Sequence, residues 1–360
     1  MKKISFRYLL IALLVLVVTL CTALLTKKQV HTSYYDTQIE AVTIMQNCLD
    51  LIKQYVVEND IYIEQEDLNQ TGLIGPEFSE LATTLGHEDA KRSSLNPNCA
   101  AMMVKYFIQA GLKEGSVVAV GTSGSFPGLA IATLCAATAM KLEVRLIASY
   151  GASTFGATRV DFNIADILKL IQNAGLVQFN FLAVSPGSDN DYGVGGFDGL
   201  LYDNTREVVA NLGQTEGLEF IDYNDVTKSI QRRLELYGDV DLFVNVGGAC
   251  PNTGMTMASL SVPEGLVTEF KDIPEDKNRG LIFEYLAQGT PIINLLYVKG
   301  LMNDNDLPFD PVPLPKVGEG GVYYTTGYNK ILCLIGVFVA LVMLFYGSLQ
   351  GRLYQKRHNG

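Results

Sequence analysis

The sequence predicts an α/β fold, a layered and mostly parallel sheet with helices on both faces, flanked by one transmembrane helix at each end. Short, nearly all-apolar runs such as 116–120 and 241–246 alternate with segments of helical periodicity. Largely apolar strands separated by helices are typical of a parallel sheet covered on both faces. Two uncharged apolar stretches, 8–25 and 331–347, are long enough to cross hydrocarbon about 30 Å thick.

The first apolar stretch indicates a retained membrane anchor over 1–28 rather than a cleaved secretory signal. Its apolar run is longer than a usual signal core, and Thr26, Lys27 and Lys28 follow where cleavage needs small residues. Basic residues are more numerous on the chain-end side of both spans, which predicts cytoplasmic termini and an extracytoplasmic main domain. The residues on that side are Lys2, Lys3, Arg7, Arg352, Lys356 and Arg357.

Between the spans, the composition changes along the chain. Apolar residues from Ile39 to Val56 recur every three or four positions, which predicts a helix over about 35–58. The stretch from there to Leu95 is polar and turn-rich, and it predicts no strong element. We divide the chain into an anchor (1–28), a helical stalk with an irregular segment (29–95), an α/β domain (96–304), a Pro/Gly-rich linker (305–330), a C-terminal transmembrane helix (331–347) and a basic tail (348–360).

Turn and capping residues delimit the elements of the α/β domain. Asn96 and Pro97 predict the start of its first helix, and Asn204 with Glu207 predicts a helical capping box further on. The predicted strands are 116–120, ended by Gly121, then 142–148, 177–184, 241–246 and 291–298, and the other predicted helices are 127–140, 161–174 and 225–237.

Charge and cysteine spacing exclude several kinds of site. A net charge of −11 and a pI near 4.8 argue against nucleic acid as a partner, so any anion site must be local. The domain cysteines lack a C-x-x-C pair, and their wide spacing supports neither a zinc site nor a disulfide scaffold. No metal or cofactor is expected. These cysteines are Cys48, Cys99, Cys135 and Cys250.

A loop rich in glycine, serine and threonine follows the first strand, at 121–128 (GTSGSFPG). Backbone N–H groups at a strand-to-helix junction can hold a phosphate or carboxylate, and hydroxyl groups would add donors. The loop is neither a Walker A loop nor G-x-G-x-x-G, and it misses G-x-S-x-G by one residue. It could also be only a tight turn capped by serine. Its ligand-binding candidates are Gly121, Thr122, Ser123, Gly124 and Ser125.

A second glycine loop follows the strand 241–246. If that strand lies beside 116–120, both loops open at the carboxyl ends of the sheet, where ligands usually bind. Cys250 could be a nucleophile in this loop, although a packed, unreactive cysteine is commoner. The ligand-binding candidates here are Gly247, Gly248 and Thr253.

A serine or cysteine nucleophile needs a base, and the domain has few candidates. His87 is the only histidine available to it, and an exposed loop histidine is the alternative interpretation. Lys91 and Arg92 follow shortly after and could meet an anion.

An acidic, glycine-rich loop spans 185–199. Its aspartates could gather calcium, but the EF-hand spacing is absent, and a solvated loop or mobile lid is the preferred interpretation. These residues are Asp189, Asp191 and Asp198.

Several segments together resemble the poly-γ-glutamate system protein family. They are 71–78 (TGLIGPEF), 83–86 (TTLG), 90–92 (AKR), 96–98 (NPN), the two glycine loops and the terminal spans. The family consists of bacterial membrane proteins associated with making and exporting capsular poly-γ-glutamate. The resemblance implies that the chain lies in the cytoplasmic (inner) membrane of a bacterium and acts in the poly-γ-glutamate pathway. It transfers no catalytic residue.

Two hypotheses of function follow. In the first, the chain is an accessory or assembly component that packs with other membrane proteins of the poly-γ-glutamate synthase or exporter, and Gly336 and Gly347 hint at close helix contact. In the second, it is an enzyme or sensor whose glycine loops bind a small anionic ligand, glutamate or a phosphorylated precursor. The first is preferred because histidines are few and no complete catalytic motif is present.

Overall fold

The computed structural model describes residues 6–197, 200–275 and 279–358. Within them the chain forms two compact units. One is the continuous segment Tyr34–Tyr323, and the other combines the described parts of Met1–Ser33 and Tyr324–Gly360. The segment predicted as irregular and most of the Pro/Gly-rich linker therefore belong to the central unit.

Numbered in chain order, the strands of the central unit are β2 (Ala82–Thr84), β3 (Val117–Ser123), β4 (Glu143–Ser149), β5 (Ala152–Ser153), β6 (Asn180–Ser185), β7 (Glu219–Phe220), β8 (Leu242–Val246), β9 (Gly265–Val267) and β10 (Ile292–Leu295). Seven of them form one sheet with the order β7-β6-β4-β3-β8-β10-β9. All neighbouring pairs in this sheet are parallel except β10 with β9. The short strands β2 and β5 form a separate parallel pair.

Helices cover both faces of the sheet, which confirms the α/β fold class. Side chains alternate along β3, so Val118 and Val120 enter one buried apolar cluster and Ala119 enters the other. Numbered in chain order, the helices of this unit are α2 (Tyr35–Glu58), α3 (Glu88–Ser94), α4 (Cys99–Gln109), α5 (Pro127–Ala139), α6 (Ile164–Asn173), α7 (Thr205–Thr215), α8 (Val226–Tyr237), α9 (Cys250–Thr253), α10 (Leu281–Ala287) and α11 (Val298–Asp304).

The chain reverses its direction across the sheet between β3 and β8. It runs outward from β3 through β4 and β6 to β7, then returns to the other side of β3 and continues through β8 to β10. β3 and β8 are neighbours, with Gly121 opposite Asn245 and Thr122 opposite Val246. The loops that follow two such strands diverge and leave a crevice at their carboxyl ends.

β3 continues past the residue expected to end it. We predicted a strand closed by Gly121, whereas pairing with β4 extends to Ser123. The prediction was wrong because glycine weakens a strand interior but does not forbid it, and here the pairing of β3 with a parallel neighbour on each side outweighs that cost.

The segment 59–95 contains two elements that the sequence analysis did not find, β2 and α3. α3 is short, and its buried residues are polar or charged, so it has no apolar period for sequence analysis to detect. It is fixed by specific bonds, among them two from the Arg92 guanidinium to Asp310, each 2.7 Å long.

The capping box predicted at Asn204 is wrong, because that side chain makes no capping bond to α7. A capping box is present instead at α6, where the Asn163 side chain accepts from the backbone N–H of Ala165 and Asp166 accepts from the Asn163 N–H. The first helix of the α/β domain also begins later than Pro97, at Cys99.

The terminal unit contains α1 (Phe6–Leu25), β1 (Lys28–His31), β11 (Tyr324–Gly327) and α12 (Lys330–His358). α1 and the Lys330–Gln350 part of α12 are each long and apolar enough to cross a membrane. They lie against each other, and a side chain at Gly336 would collide with Thr19 of α1. The close contact that Gly336 suggested is therefore made within this chain. Lys2 and Lys3 lie outside the described residues.

Candidate functional site

A cavity of about 600 Å³ opens at the carboxyl ends of β3, β4 and β8, beside the point where the strand order reverses. Residues of α3 and of the turn before it line part of the cavity, and residues at the start of α11 line another part. Its polar lining includes His87, Lys91, Ser123, Ser125, Ser149, Ser153, Ser188 and Asp189, and its apolar lining includes Leu85, Phe126, Leu296, Tyr297 and Phe309.

A chain of asparagine amides joins the two glycine loops. The Asn252 Nδ2 donates to the backbone oxygen of Gly121 at 2.9 Å and to Asn245 Oδ1 at 3.0 Å. Asn245 Nδ2 in turn donates to Asn294 Oδ1 at 2.9 Å. Because buried amides need partners, these bonds fix the second loop against the end of β3.

Gly121 and Gly247 allow the two glycine loops to approach each other, whereas Gly124 allows close packing against β5. A Cβ at Gly121 would lie 2.7 Å from Asn252, and one at Gly247, whose φ is +84°, would lie 2.5 Å from Ser123 Oγ. A Cβ at Gly124 would meet Ala152 Cβ at 2.8 Å, so this glycine makes room for neighbouring chain. A larger residue at Gly124 is therefore expected to act through stability and not by blocking a ligand.

The backbone groups proposed to hold an anion are already paired. Gly121, Thr122 and Ser123 lie within the β3 ladders, and Gly124 N–H donates to Ser149 O at 3.1 Å. The N–H of Ser125 points to Ser123 Oγ, 3.3 Å away. Over 121–125 the backbone N–H groups expected to be free are therefore engaged within the protein, because the strand runs further than predicted.

Lys91 lies in the wall of the cavity with only 2% of its surface exposed. Its Nζ donates to Ser125 O and to Ser153 Oγ, each at 2.5 Å, and lies 4.0 Å from the centre of the Phe126 ring. Among the residues that the structure describes, no carboxylate forms an ion pair with it.

Burial lowers the pKa of Lys91 to about 7. Removing an ammonium group from water without a nearby counter-charge disfavours its charged form. The amine can therefore change protonation near neutral pH, and a ligand with a negative charge would stabilise the ammonium.

Three serine residues line the same cavity as this amine. Ser125 Oγ accepts from the Ser153 N–H at 3.0 Å, Ser123 Oγ accepts from the Ser125 N–H, and Ser153 Oγ accepts from Lys91. Within the described ranges none of the three hydroxyl hydrogens has an acceptor. They are available as donors to a molecule in the cavity.

Some of the predicted site residues line the cavity, and others do not. Lys91, Ser123, Ser125, Gly248, Cys250 and His87 line it. Thr122 and Thr253 are buried and donate to backbone oxygens, and Arg92 is held by Asp310 away from it.

The two weak catalytic candidates differ in environment. His87 is exposed at the rim. Burial, together with the charges of Asp191 and Asp189, raises the pKa of Cys250 to about 11. Its sulfur is therefore a thiol at neutral pH, and a thiolate nucleophile is not favoured there.

The acidic loop is anchored rather than solvated at Asp191. This carboxylate is fully buried, accepts from Ser185 Oγ and Ser229 Oγ, and pairs with the buried Arg233 at 2.8 Å. Asp198 lies outside the described residues. Among the described residues no group of three or more histidine, cysteine or carboxylate side chains is placed to hold a metal ion.

Ser153 is the residue that the sequence analysis missed. It lies in β5, just after β4, and β5 pairs with β2 some 70 residues earlier. The available signal was its place after the carboxyl end of an apolar strand, in a stretch of small residues, 151–154 (GAST).

No protein-family model, no curated protein and no solved structure matches this chain.

Proposed function

We propose that the central unit binds a small carboxylate in the cavity, with Lys91 as the counter-charge and the hydroxyls of Ser123, Ser125 and Ser153 as donors. The observation that carries this proposal is the Lys91 amine, which is buried in the cavity wall without a carboxylate partner among the described residues. A buried charge needs a partner, and a bound anion supplies one.

The size and lining of the cavity support a small organic ligand. Its volume of about 600 Å³ lies within the range of about 300 to 1,000 Å³ usual for such sites. Apolar side chains such as Leu296, Tyr297 and Phe309 line it along with the polar groups. The ligand therefore has an organic part beside its charged group.

Calorimetric titration of the full-length protein in detergent micelles with acetate, L-glutamate and inorganic phosphate tests this proposal. A hydrogen bond to a charged group contributes about 1.5 to 3 kcal/mol, so Lys91→Met should weaken carboxylate binding at least about tenfold. Lys113→Met removes an exposed lysine and should leave binding unchanged.

The three probes separate the classes of ligand. Binding of phosphate with no binding of acetate or glutamate would replace carboxylate by phosphate in the proposal. Equal binding by wild type and Lys91→Met, or no binding of any probe, would contradict it.

We also propose that the chain acts in bacterial poly-γ-glutamate capsule biosynthesis or export, at the cytoplasmic membrane with other membrane proteins of that system. The observation that favours this is the resemblance of the segments from 71 to 98, the two glycine loops and the terminal spans. Cytoplasmic termini and an extracytoplasmic central unit belong to the same proposal. According to this proposal, the helices α1 and α12 together anchor the protein in the membrane.

Deleting the gene in a polymer-producing strain should lower the amount or surface display of poly-γ-glutamate. Polymer amount, length and location are measured in the deletion strain and in the strain complemented with the intact gene. A deletion that leaves all three unchanged would rule out the pathway, and it would leave the carboxylate site untouched as a separate question.

A further inference from the structure

Lys91 touches two serines in different ways, and the difference identifies which hydroxyl it can activate. Its Nζ meets Ser125 at the backbone oxygen, whereas it meets Ser153 at the hydroxyl oxygen, 2.5 Å away. An amine at hydrogen-bond distance from a hydroxyl is placed to take its proton once the amine is neutral.

We propose that Ser153 is a nucleophile and Lys91 its base, and that together they hydrolyse a small carboxylic amide or ester in this cavity. The inference rests on the proposed function, because the carboxylate product of this reaction is the ligand proposed above for the same place. It adds the substrate class and the residues that act on it.

The structure positions Ser153 from two sides. Its backbone N–H donates to Ser125 Oγ at 3.0 Å, and β5 is held by its pairing with β2. A Cβ at Gly86 would lie 3.0 Å from Ser153 Oγ and 3.1 Å from the Lys91 side chain, so glycine at that position gives both groups room. The nucleophile and base are thus fixed relative to each other before substrate binds.

The acylation step balances with these two groups. Neutral Lys91 takes the hydroxyl proton as Ser153 Oγ attacks the carbonyl carbon, which forms the Oγ–C bond and gives a lysine ammonium. The ammonium then protonates the leaving amine or alcohol as its bond to carbon breaks. The Ser125 hydroxyl, whose hydrogen has no acceptor within the described ranges, can donate to the substrate.

Water completes the cycle. It attacks the acyl carbon and gives one proton to Lys91, and the Oγ–C bond breaks as Ser153 takes that proton back. The products are a carboxylate and one released proton, and the negative charge of the carboxylate favours the protonated form of Lys91. The lowered pKa of Lys91 supports this cycle, because a base is most effective when its pKa lies near the working pH.

Other groups near the site could also contribute to a pH profile. Besides Lys91, the titratable side chains lining the cavity are His87, Asp89, Asp189, Cys250, Tyr297 and Lys299. The readout must therefore identify the modified serine and not only a change of rate.

The test is labelling of the full-length protein in detergent micelles by a fluorophosphonate probe, whose phosphorus is attacked by an activated serine with loss of fluoride. Peptide mass spectrometry should place the label on Ser153. The labelling rate should rise with pH through about 7 and then level off. Ser153→Ala should not be labelled, and Lys91→Met should be slowed at least about 100-fold.

Matched controls are Ser261→Ala and Lys113→Met, which replace an exposed serine and an exposed lysine and should be labelled at the wild-type rate. Label on another serine, unchanged labelling of Ser153→Ala, or a wild type that does not react between pH 5.5 and 9.5 while a known serine hydrolase does, would overturn the inference. The site mapping and pH profile of the wild type stand even if a variant fails to fold.

Calorimetry separates this inference from the function on which it rests. Ser153→Ala keeps Lys91 and should still bind acetate, within about tenfold of wild type. Acetate binding without labelling overturns catalysis alone, whereas labelling without carboxylate binding overturns the proposed ligand and leaves the nucleophile in place.

Discussion

Replacing Asp191 with alanine is expected to lower the free energy of unfolding by about 3 to 5 kcal/mol. The carboxylate is fully buried and is the ion-pair partner of Arg233, which is itself 1% exposed. Without it, a buried guanidinium loses its counter-charge, and Ser185 and Ser229 lose an acceptor. Breaking one side of a buried pair is costly because the remaining charge stays out of water.

Equilibrium urea unfolding of the full-length protein in detergent measures this effect. The chain has no tryptophan, so near-ultraviolet circular dichroism of its tyrosines is a suitable signal. Glu114→Ala is the matched control, because its ion pair with Lys141 is exposed on both sides and should contribute less than about 1 kcal/mol. Equal losses in the two variants would show that Asp191 is not a buried structural partner.

A double variant sharpens the result. Asp191→Ala combined with Arg233→Met removes both charges, so its loss should be smaller than the sum of the two single losses. Strictly additive losses would mean that the pair is not coupled.

Lys91→Met is expected to change how stability depends on pH. The pKa of Lys91 in the folded chain is about 7, below the ordinary value of 10.5. Below pH 7 the amine is therefore protonated in both the folded and the unfolded chain, and burial of the ammonium lowers the stability of the folded chain by its full amount. Between about pH 7 and 10 the unfolded chain holds a proton that the folded chain lacks, and folded stability rises with pH. Relative to Lys91→Met, the wild type should gain up to about 1.4 kcal/mol per pH unit in this window.

The measurement is urea unfolding of both proteins at several pH values from 6 to 9.5, with Lys113→Met as control. Lys113→Met removes a lysine that is exposed in the folded chain, so comparison with it isolates the effect of burying Lys91. The free energy of unfolding of the wild type minus that of Lys91→Met should rise with pH. A difference that stays constant, or that falls with rising pH, would contradict the burial of Lys91 without a counter-charge.

The sheet and its larger helices could be predicted because they carry a repeating apolar signal. β8 and α8, for example, lie within a residue of their expected bounds, since the first is apolar apart from Asn245 and the second is capped by Asp225. An apolar pattern of this kind lies within one segment of the chain, because it arises wherever one face of a helix or strand is buried.

The site was harder to predict because it depends on contacts between distant segments. Lys91 was proposed as an anion partner, but its burial follows from α3, whose sequence EDAKRSS has no apolar period. Ser153 was not identified, since β5 has two residues and its partner β2 lies far along the chain. The serines at 123 and 125 were identified, although their hydroxyls and not the nearby backbone N–H groups are free to bind.

The most direct test of a carboxylate site at Lys91 is the number of protons taken up when acetate or L-glutamate binds to the full-length protein. It is measured by calorimetry in two buffers with different ionisation enthalpies. At pH 8 a lysine with a pKa of about 7 is mostly neutral, so binding should take up close to one proton per ligand. Uptake should fall toward zero at pH 5.5 and disappear in Lys91→Met. Binding with no proton uptake at either pH, or with the same uptake in Lys91→Met, would contradict the site.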